Sequence, residues 1–257
     1  MIPQNYSKAV IDLKIVFKFL IMDKQVVIIF GPPGAGKGTQ AELVSDKMGL
    51  YLFDTSKILE RKFKQVEALP ENAKERFVEV DGQKFDILTE RENWKNGLLC
   101  SPPYVTYILI EEFKELFNED KNLVLAGSPR TLYEVEREMP ILEELYGKEN
   151  IKVVLLEISA ETTVFRNSHR KICELMRHSI LFSKETEKLT ICPLDGSKLV
   201  RRKGLDDLES IKVRIKEYTE RTLPMVEYFE KNDIKVKKIN GEQSVADVYK
   251  DVLTAIQ

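Results

Sequence analysis

The sequence predicts an α/β fold, a parallel five-stranded sheet with helices on both of its faces. Two observations predict this fold. Short apolar runs, which suit buried parallel strands, alternate along the chain with amphipathic helical patterns. The first apolar run also leads directly into a glycine-rich turn that opens a helix. Strands that alternate with helices need crossover connections, and these produce a parallel sheet covered on both sides.

The predicted elements follow one another in a regular order. The strands lie at residues 26–30, 50–53, 122–126, 151–158 and 234–239. The helices lie at residues 40–48, 57–66, 104–117, 131–146, 160–171, 205–231 and 244–256. Thr55 is predicted to cap the helix at 57–66, because a hydroxyl oxygen can accept a hydrogen bond from a first-turn N–H group.

Two segments interrupt the alternation, residues 54–105 and residues 172–204. The first contains a longer polar stretch, 67–93, with a hairpin expected around Asp81-Gly82. Both segments follow predicted strands, and sheets of this kind bind ligands at the carboxyl ends of their strands. We therefore expect two insertions beside a ligand cleft, within one domain that covers residues 22–257.

Residues 1–21 are expected to be an N-terminal extension outside this domain, because Met22 precedes the first predicted strand directly. The apolar run at 15–21 is too short to cross a bilayer and is interrupted by lysine. It also lacks the small-residue cleavage site of a signal peptide.

Composition narrows the function classes. The chain has 257 residues, 43% of them hydrophobic, which is enough for one substantial core. Its net charge of -2 gives no electrostatic sign of a nucleic-acid or membrane partner. The three cysteines, an odd number, favour a reducing cytoplasm over a secreted disulfide framework. A monomer is expected by default.

The glycine-rich turn after the first strand has the layout of a phosphate-binding loop. Gly31, Gly36 and Lys37 fit the pattern G-x-x-x-x-G-K, and the next residue is Gly38, so the hydroxyl moves to Thr39. The backbone N–H groups and the helix N-terminus attract phosphate, and the lysine adds a full charge. The sheet is therefore expected to be of the P-loop NTPase type, with a nucleoside triphosphate held by Gly34, Ala35, Gly36, Lys37, Gly38 and Thr39.

Arginines lie at strand ends and at the edges of the second insertion. Arg130 follows a Gly-Ser-Pro turn, and Arg166 and Arg170 are four residues apart on one helix face. Arg201, Arg202 and Arg214 flank the other edge of the insertion. Forked guanidinium donors from several places can surround a chain of phosphates.

These residues resemble a known family, the adenylate kinase-like nucleoside monophosphate kinases. The resembling segments occur in the family's order within residues 24–257. They are Gly31–Gln40, Asp54–Ser56, Ala126–Thr131, Arg166–Arg170, Lys203–Arg214 and, more weakly, Ile239–Ala246. The resemblance implies transfer of the γ-phosphoryl group of ATP to a nucleoside monophosphate, with Mg²⁺ as cofactor. It also implies a monophosphate-binding insertion at about 54–105 and a lid at about 172–204.

The resemblance also implies roles for single residues. Those expected to act on the transferred group are Lys37, Arg130, Arg170, Arg202 and Arg214. Besides the loop, three residues are expected on the ATP side. Arg166 would lie over the donor base, Arg170 would contact the triphosphate, and Gln243 would contact the donor base through its backbone. Those expected on the monophosphate side are Thr55, Arg61, Gly127, Arg130, Glu134, Arg202 and Arg214.

Four positions depart from the family pattern. Ala126 and Lys57 stand where the family has acids that hold magnesium through water, which leaves Thr39 and the phosphates to bind the metal. The acceptor-side arginine falls on Glu60, and Arg61 replaces it only if the helix register shifts. Glu134 takes the place of an adenine-reading glutamine. An ionised carboxylate only accepts hydrogen bonds, so Glu134 would suit a guanine-like acceptor base better than adenine. Alternatively, Glu134 faces solvent and another group recognises the base.

The lid segment carries three of the four positions of a zinc site found in some family members. These are Cys173, Cys192 and Asp195, whereas Met176 occupies the fourth. Because methionine is a poor zinc ligand, structural zinc in the lid is not expected, although His178 lies close enough in sequence to substitute.

The sequence as a whole predicts a cytoplasmic, magnesium-dependent nucleoside monophosphate kinase that uses ATP, with AMP as the expected acceptor. A second interpretation is a catalytically weakened relative that binds or senses nucleotides, motivated by Ala126, Lys57 and Glu60. A third is a P-loop phosphotransferase with a non-nucleotide acceptor, which the arginines and the Gly-Ser-Pro-Arg-Thr turn disfavour.

Overall fold

The computed structural model describes residues 24–95, 100–177, 179–202 and 206–257. The predicted extension at residues 1–21 and the histidine at 178 lie outside these ranges. Five parallel strands form the central sheet: β1 (Val26–Phe30), β2 (Tyr51–Phe53), β5 (Leu123–Leu125), β6 (Ile151–Glu157) and β10 (Val236–Asn240). Their spatial order is β10-β6-β1-β5-β2, and every neighbouring pair is parallel. The predicted fold class is confirmed.

Helices cover both faces of this sheet. They are α1 (Lys37–Met48), α2 (Thr55–Val66), α3 (Ile87–Lys95), α4 (Pro102–Asn118), α5 (Leu132–Tyr146), α6 (Ala160–His169), α7 (Leu208–Glu217), α8 (Met225–Lys231) and α9 (Val245–Ile256). Alternate residues of β1 point to opposite faces. Val26 and Ile28 join the larger core with α4, α5 and α8, whereas Val27 and Ile29 join a second core with α1 and α9. The central strand is therefore buried on both sides.

The cap of α2 differs from the prediction. Thr55 is the first helical residue, and the preceding Asp54 caps the helix by accepting hydrogen bonds from the N–H groups of Ser56 and Lys57. A carboxylate here satisfies two donors of the first turn and also favours the positive end of the helix dipole.

The polar stretch at 67–93 folds onto the main core. The expected hairpin is present as β3 (Phe77–Val80) and β4 (Gln83–Asp86), which pair antiparallel around Asp81 and Gly82. Both turn residues have positive φ, the geometry that a two-residue hairpin turn needs. Val78 and Phe85 are buried in the same cluster as α4, so this stretch contributes to the core.

The segment at 172–204 contains three short strands instead of a periodic element. They are β7 (Lys171–Cys173), β8 (Ser179–Ile180) and β9 (Leu199–Val200), paired antiparallel in the order β8-β7-β9. Strands of two or three residues are too short to give a period in the sequence. Lys171 already belongs to β7, so the preceding helix ends at His169, earlier than predicted.

The single long helix predicted at 205–231 is wrong. Within its described part, α7 gives way to a π-helix, Tyr218–Thr222, and α8 begins only after Pro224. The N–H of Leu223 donates to the carbonyl oxygen of Tyr218, five residues earlier. Proline lacks an N–H donor and cannot continue the α-helical hydrogen bonds. The helix therefore widens to a π-helical turn before Pro224, and a new α-helix begins after it.

In the described part of the chain, every helix is too short or too polar to cross a membrane.

Candidate active site

The glycine-rich loop joins the end of β1 to α1 at the carboxyl edge of the sheet. Two of its glycines have no room for a side chain. A Cβ on Gly31, whose φ is 149°, would lie 2.4 Å from the carbonyl oxygen of Leu156. One on Gly34, φ 85°, would lie 2.6 Å from the amide nitrogen of Asn167. The loop therefore packs against β6 and α6, and this fixes the direction in which its N–H groups point.

Lys37, the first residue of α1, folds back over the loop. Its Nζ donates to the carbonyl oxygens of Gly31 at 2.8 Å and Pro32 at 2.9 Å. Desolvation lowers the pKa of Lys37 to about 7, and repulsion from four arginines adds to this effect. The four are Arg130, Arg214, Arg170 and Arg202. The structure thus brings together all five residues predicted to act on the transferred phosphoryl group.

One buried carboxylate balances part of this charge. Arg202 binds Asp206 in a forked pair, with Nε donating to Oδ2 at 3.0 Å and a terminal nitrogen donating to Oδ1 at 2.5 Å. The side chain of Asp206 is only 1% exposed. No role was predicted for Asp206 from the sequence. Its signal was the pair Asp206-Asp207 at the end of the lid segment, where the second aspartate caps α7.

Asn167 links the loop, α6 and α7, and sequence analysis gave it no role. It is fully buried, and its amide donates to the carbonyl oxygen of Thr163. Its Oδ1 accepts from Arg214 at 3.4 Å. Desolvation lowers the pKa of Arg214 to about 10, with repulsion from Arg202 as the next cause. Arg166, the neighbouring residue, donates to the carbonyl oxygen of Gly34 at 3.3 Å. Two successive residues of α6 therefore contact the loop at Gly34.

Arg130 stands on the turn Gly127–Arg130, which follows β5. Its Nε donates to the carbonyl oxygen of Gly127, and its backbone N–H donates to Oε2 of Glu134 at 2.7 Å. The carbonyl oxygen of Arg130 accepts from Thr222 at 2.6 Å. Contacts on three sides therefore fix the backbone and guanidinium of this arginine.

Glu134 lies inside the protein and does not face solvent, being 8% exposed. Thr131 caps α5, and its hydroxyl accepts from the N–H of Glu134 and donates to Oε1 of Glu134 at 3.2 Å. Desolvation raises the pKa of Glu134, against the hydrogen bond from Arg130. Both carboxyl oxygens thus serve the turn, and a contact with an acceptor base stays a prediction.

Arg61 is not brought to the cationic group. Its guanidinium pairs with Glu112 on α4, whose side chain is 2% exposed. A carboxylate buried to that extent needs a cation beside it, which explains why Arg61 turns this way. Thr55 is buried at the start of α2, next to the carboxyl end of β2, and Lys57 is exposed two residues further on.

The loop after β10 lies beside the phosphate-binding loop. A Cβ on Gly241 would meet the carbonyl oxygen of Ala35 at 3.4 Å, and the N–H of Gly241 donates to Glu157. The side chain of Gln243 turns away and donates to Asn240 and Asp251. Its backbone is the part left for the predicted contact with a donor base.

Two candidate metal positions have different donor sets. Thr39 lies in the first turn of α1, and its hydroxyl makes no hydrogen bond to other described residues, whereas the side chain of Ala126 has no ligand atom. In the lid, Cys173, Cys192 and Asp195 each have a donor atom within 4.8 Å of the others. Cys173 donates to Asp195 at 2.9 Å, and Met176 is 64% exposed. Among the described residues, these three donors are one fewer than the four of the usual structural zinc site.

This arrangement suits a polyphosphate. Five cationic side chains share one region of the cleft, and the buried carboxylate of Asp206 pairs with one of them, Arg202. Crowded cations of this kind raise the free energy of the site until an anion neutralises them, and forked arginines match phosphate oxygens geometrically. The geometry supports charge stabilisation around a phosphoryl group that moves between two phosphates.

Comparison with known proteins agrees with this chemistry. The chain is 32% identical over 234 residues to the adenylate kinase of Caldicellulosiruptor saccharolyticus, covering 90% of this chain and 98% of that protein. It is 32% identical to the adenylate kinase of Petrotoga mobilis, and the match covers 90% of this chain and 97% of that protein. It is 28% identical to the adenylate kinase of Mycoplasma capricolum, and this match covers 84% of this chain and 94% of that protein. No family model matches the chain.

Proposed function

The chain belongs to the adenylate kinase family, and on this premise we propose that it transfers the γ-phosphoryl group of ATP reversibly to AMP. It is a phosphotransferase of the nucleoside monophosphate kinase type. The observation that carries the proposal is the convergence of Arg130, Arg170, Arg202 and Arg214 on Lys37 at the carboxyl edge of the sheet.

Each residue of this group has a proposed part in the transfer. Lys37 and the loop N–H groups hold the β- and γ-phosphates of ATP, since the lysine lies over the loop backbone. Arg130 and Arg214 hold the monophosphate. Arg170 and Arg202 lie beside the γ-phosphoryl group during its transfer. Little covalent chemistry is required of the protein, because in-line transfer depends on positioning and on neutralising charge.

Magnesium is proposed to bind with ATP. The hydroxyl of Thr39 is available for it, and the phosphates and water supply the remaining oxygens. When bound, the ion would neutralise charge on the β- and γ-phosphates. With Ala126 and Lys57 in place of acids, the protein contributes few ligands of its own.

The two inserted segments are proposed to close over the substrates, 54–105 over the monophosphate and 172–204 over ATP. A phosphoryl group exposed to water would be transferred to water, so closure protects the transfer. The separate small core of the second segment, around Cys173 and Leu199, supports its movement as a unit. Gln243 and Arg166 are proposed to border the donor base.

AMP is the proposed acceptor because the relatives compared above are named adenylate kinases. The guanine alternative depended on an ionised Glu134 facing the base, and this carboxyl is buried and engaged by Arg130 and Thr131. No observation on the site favours the alternative, a catalytically weakened relative that binds or senses nucleotides. All five residues predicted to act on the transferred phosphoryl group lie together.

A cytoplasmic location and a monomeric state complete the proposal. All three cysteines are described, and no disulfide joins them, which supports a reducing compartment. Light scattering after size-exclusion chromatography would test the monomer.

A coupled assay of ADP formation tests the function. ATP with Mg²⁺ is offered with AMP, GMP, CMP, UMP and dTMP in turn, and AMP is expected to give the highest kcat/KM. The control is Lys37→Met, which should remove the turnover. Absence of turnover with every acceptor, together with tight ATP binding by calorimetry, would instead support the nucleotide-binding relative.

A further inference from the structure

Glu138 is a carboxyl group buried beneath the turn that carries Arg130. It lies on the inner face of α5 and has no exposed surface. Its Oε2 accepts a hydrogen bond from the hydroxyl of Ser128 at 2.8 Å. Its Oε1 has no hydrogen-bond partner among the residues that the structure describes.

Three of the buried residues around Glu138 on the helix are apolar. Val135, Met139 and Leu142 are fully buried in the main core, as is usual for the inner face of an amphipathic helix. A carboxyl group with one neutral hydrogen bond is costly at such a position, and an apolar side chain would avoid that cost. Packing therefore does not explain why a glutamate is present here.

The partner of Glu138 belongs to the phosphate-binding machinery. Ser128 lies two residues before Arg130, in the same turn. The N–H of Arg130 donates to Glu134, four residues before Glu138 on the same helix face. Two carboxyl groups from successive turns of α5 thus hold the turn at two points, one through a side chain and one through the backbone.

Burial is the main cause that favours the neutral form of Glu138. Burial raises its pKa well above the ordinary value, and the nearby Glu134 raises it further. The hydroxyl of Ser128 and the guanidinium of Arg130 act in the opposite direction. The protonated carboxyl keeps its hydrogen bond to Ser128 without placing a second negative charge beside Glu134.

We propose that Glu138 is a positioning residue for Arg130: through Ser128 it fixes the turn Gly127–Arg130, and so the guanidinium, for binding and transfer of the phosphoryl group. The inference rests on the function proposed above and deepens it. Glu138 itself does not touch the substrate.

Variants of both partners test this pair. Ser128→Ala and Glu138→Leu each remove the hydrogen bond, and we expect each to lower kcat and weaken AMP binding about tenfold. The KM for ATP should change less, because Lys37 and the loop are untouched. Glu138→Gln should recover most of the loss, since its amide oxygen can accept from Ser128. The double variant Ser128→Ala, Glu138→Leu should be no worse than either single one.

The control is Glu136→Gln, an exposed glutamate on the same helix, which should leave kcat unchanged. A merely structural role would lower the melting temperature of the Ser128 and Glu138 variants with no change in kcat or AMP affinity. That result, or additive effects in the double variant, would overturn the proposal. AMP affinity by titration calorimetry needs no turnover, so an inactive wild type would contradict the proposed function while this pair could still be judged.

Discussion

The hydroxyl of Thr222 donates a hydrogen bond to the carbonyl oxygen of Arg130 at 2.6 Å. Thr222 is the last residue of the π-helix that separates α7 from α8, and 92 positions in sequence separate the partners. The π-helical turn therefore connects the chain after Arg214 directly to the backbone of Arg130. π-Helical turns inside α-helices often occur at functional sites, and this one fits that pattern.

Thr222→Val should lower kcat while the fold persists. Valine keeps the shape of threonine but cannot donate, so the Arg130 carbonyl loses its partner and the turn gains freedom. We expect a loss of about tenfold in kcat, the size of one hydrogen bond. Thr254→Val is the matched control, because the exposed hydroxyl of Thr254 donates to the carbonyl oxygen of Lys250 in its own helix. Equal kcat for both variants would show that this contact is dispensable.

Lys37 should govern how ATP use depends on pH. Its pKa is lowered to about 7 by desolvation and by the arginines, so the free enzyme loses this positive charge as pH rises through that value. The kcat/KM for ATP should therefore fall above neutral pH, since this parameter reports groups of the free enzyme. A profile measured from pH 6 to 9 would be flat on the alkaline side if the lysine keeps its ordinary pKa.

Lys37→Met should reduce kcat by at least about 100-fold, because a charge next to the transferred phosphoryl group is lost. Lys47→Met serves as the control: Lys47 lies exposed in the last turn of the same helix. Single-turnover measurements with saturating ATP and AMP would separate the chemical step from binding. A Lys37→Met enzyme that retains most of its activity would rule out the role given to this residue.

Glu138 should make the stability of the protein fall as pH rises. The pKa of Glu138 is raised in the folded state. Its contribution to the unfolding free energy is therefore fully present below the ordinary carboxyl pKa and is lost as pH rises toward the pKa of the folded state. Within that window the unfolding free energy should decrease by up to about 1.4 kcal/mol per pH unit from this group alone. Urea unfolding of the wild type and Glu138→Gln at several pH values measures it. The variant should show the flatter profile, and parallel profiles would contradict the assignment.

Asp206→Asn should destabilise the protein and increase its response to phosphate. The change removes the counter-charge of Arg202, which we expect to cost about 2 kcal/mol of unfolding free energy. Inorganic tripolyphosphate should then raise the melting temperature of this variant more than that of the wild type, because phosphate replaces the lost anion. Asp233→Asn, at an exposed position far along the chain, is the control. Identical thermal shifts would mean that Asp206 does not balance the cationic group.

Local patterns were sufficient for much of this account. The apolar strand before Gly31 and the loop up to Lys37 are contiguous in sequence, so their spacing alone predicts where the phosphates bind. The arginines could be predicted too, because they lie at strand ends and insertion edges, which the fold brings together. Caps and helix breaks were less predictable. Asp54 and Thr55 are both good capping residues, and only the backbone geometry distinguishes them.

The supporting residues could not be predicted because their roles depend on burial. Asp206, Asn167 and Glu138 look like ordinary surface side chains in the sequence. Their partners lie on other elements or across a turn: Asn167 contacts Arg214 from the next helix, and Glu138 reaches Ser128 before its own helix begins. Such contacts appear only once tertiary packing is known.

The most direct test of the central claim follows the phosphoryl group itself. The enzyme would be incubated with Mg²⁺, AMP and ATP carrying a radiolabel on its γ-phosphorus, and the products separated by chromatography. The account predicts that the label appears in ADP at the rate at which AMP disappears, and that Lys37→Met abolishes this transfer. Label that remains in ATP, or that appears only as inorganic phosphate, would contradict the claim that this cleft transfers a phosphoryl group to AMP.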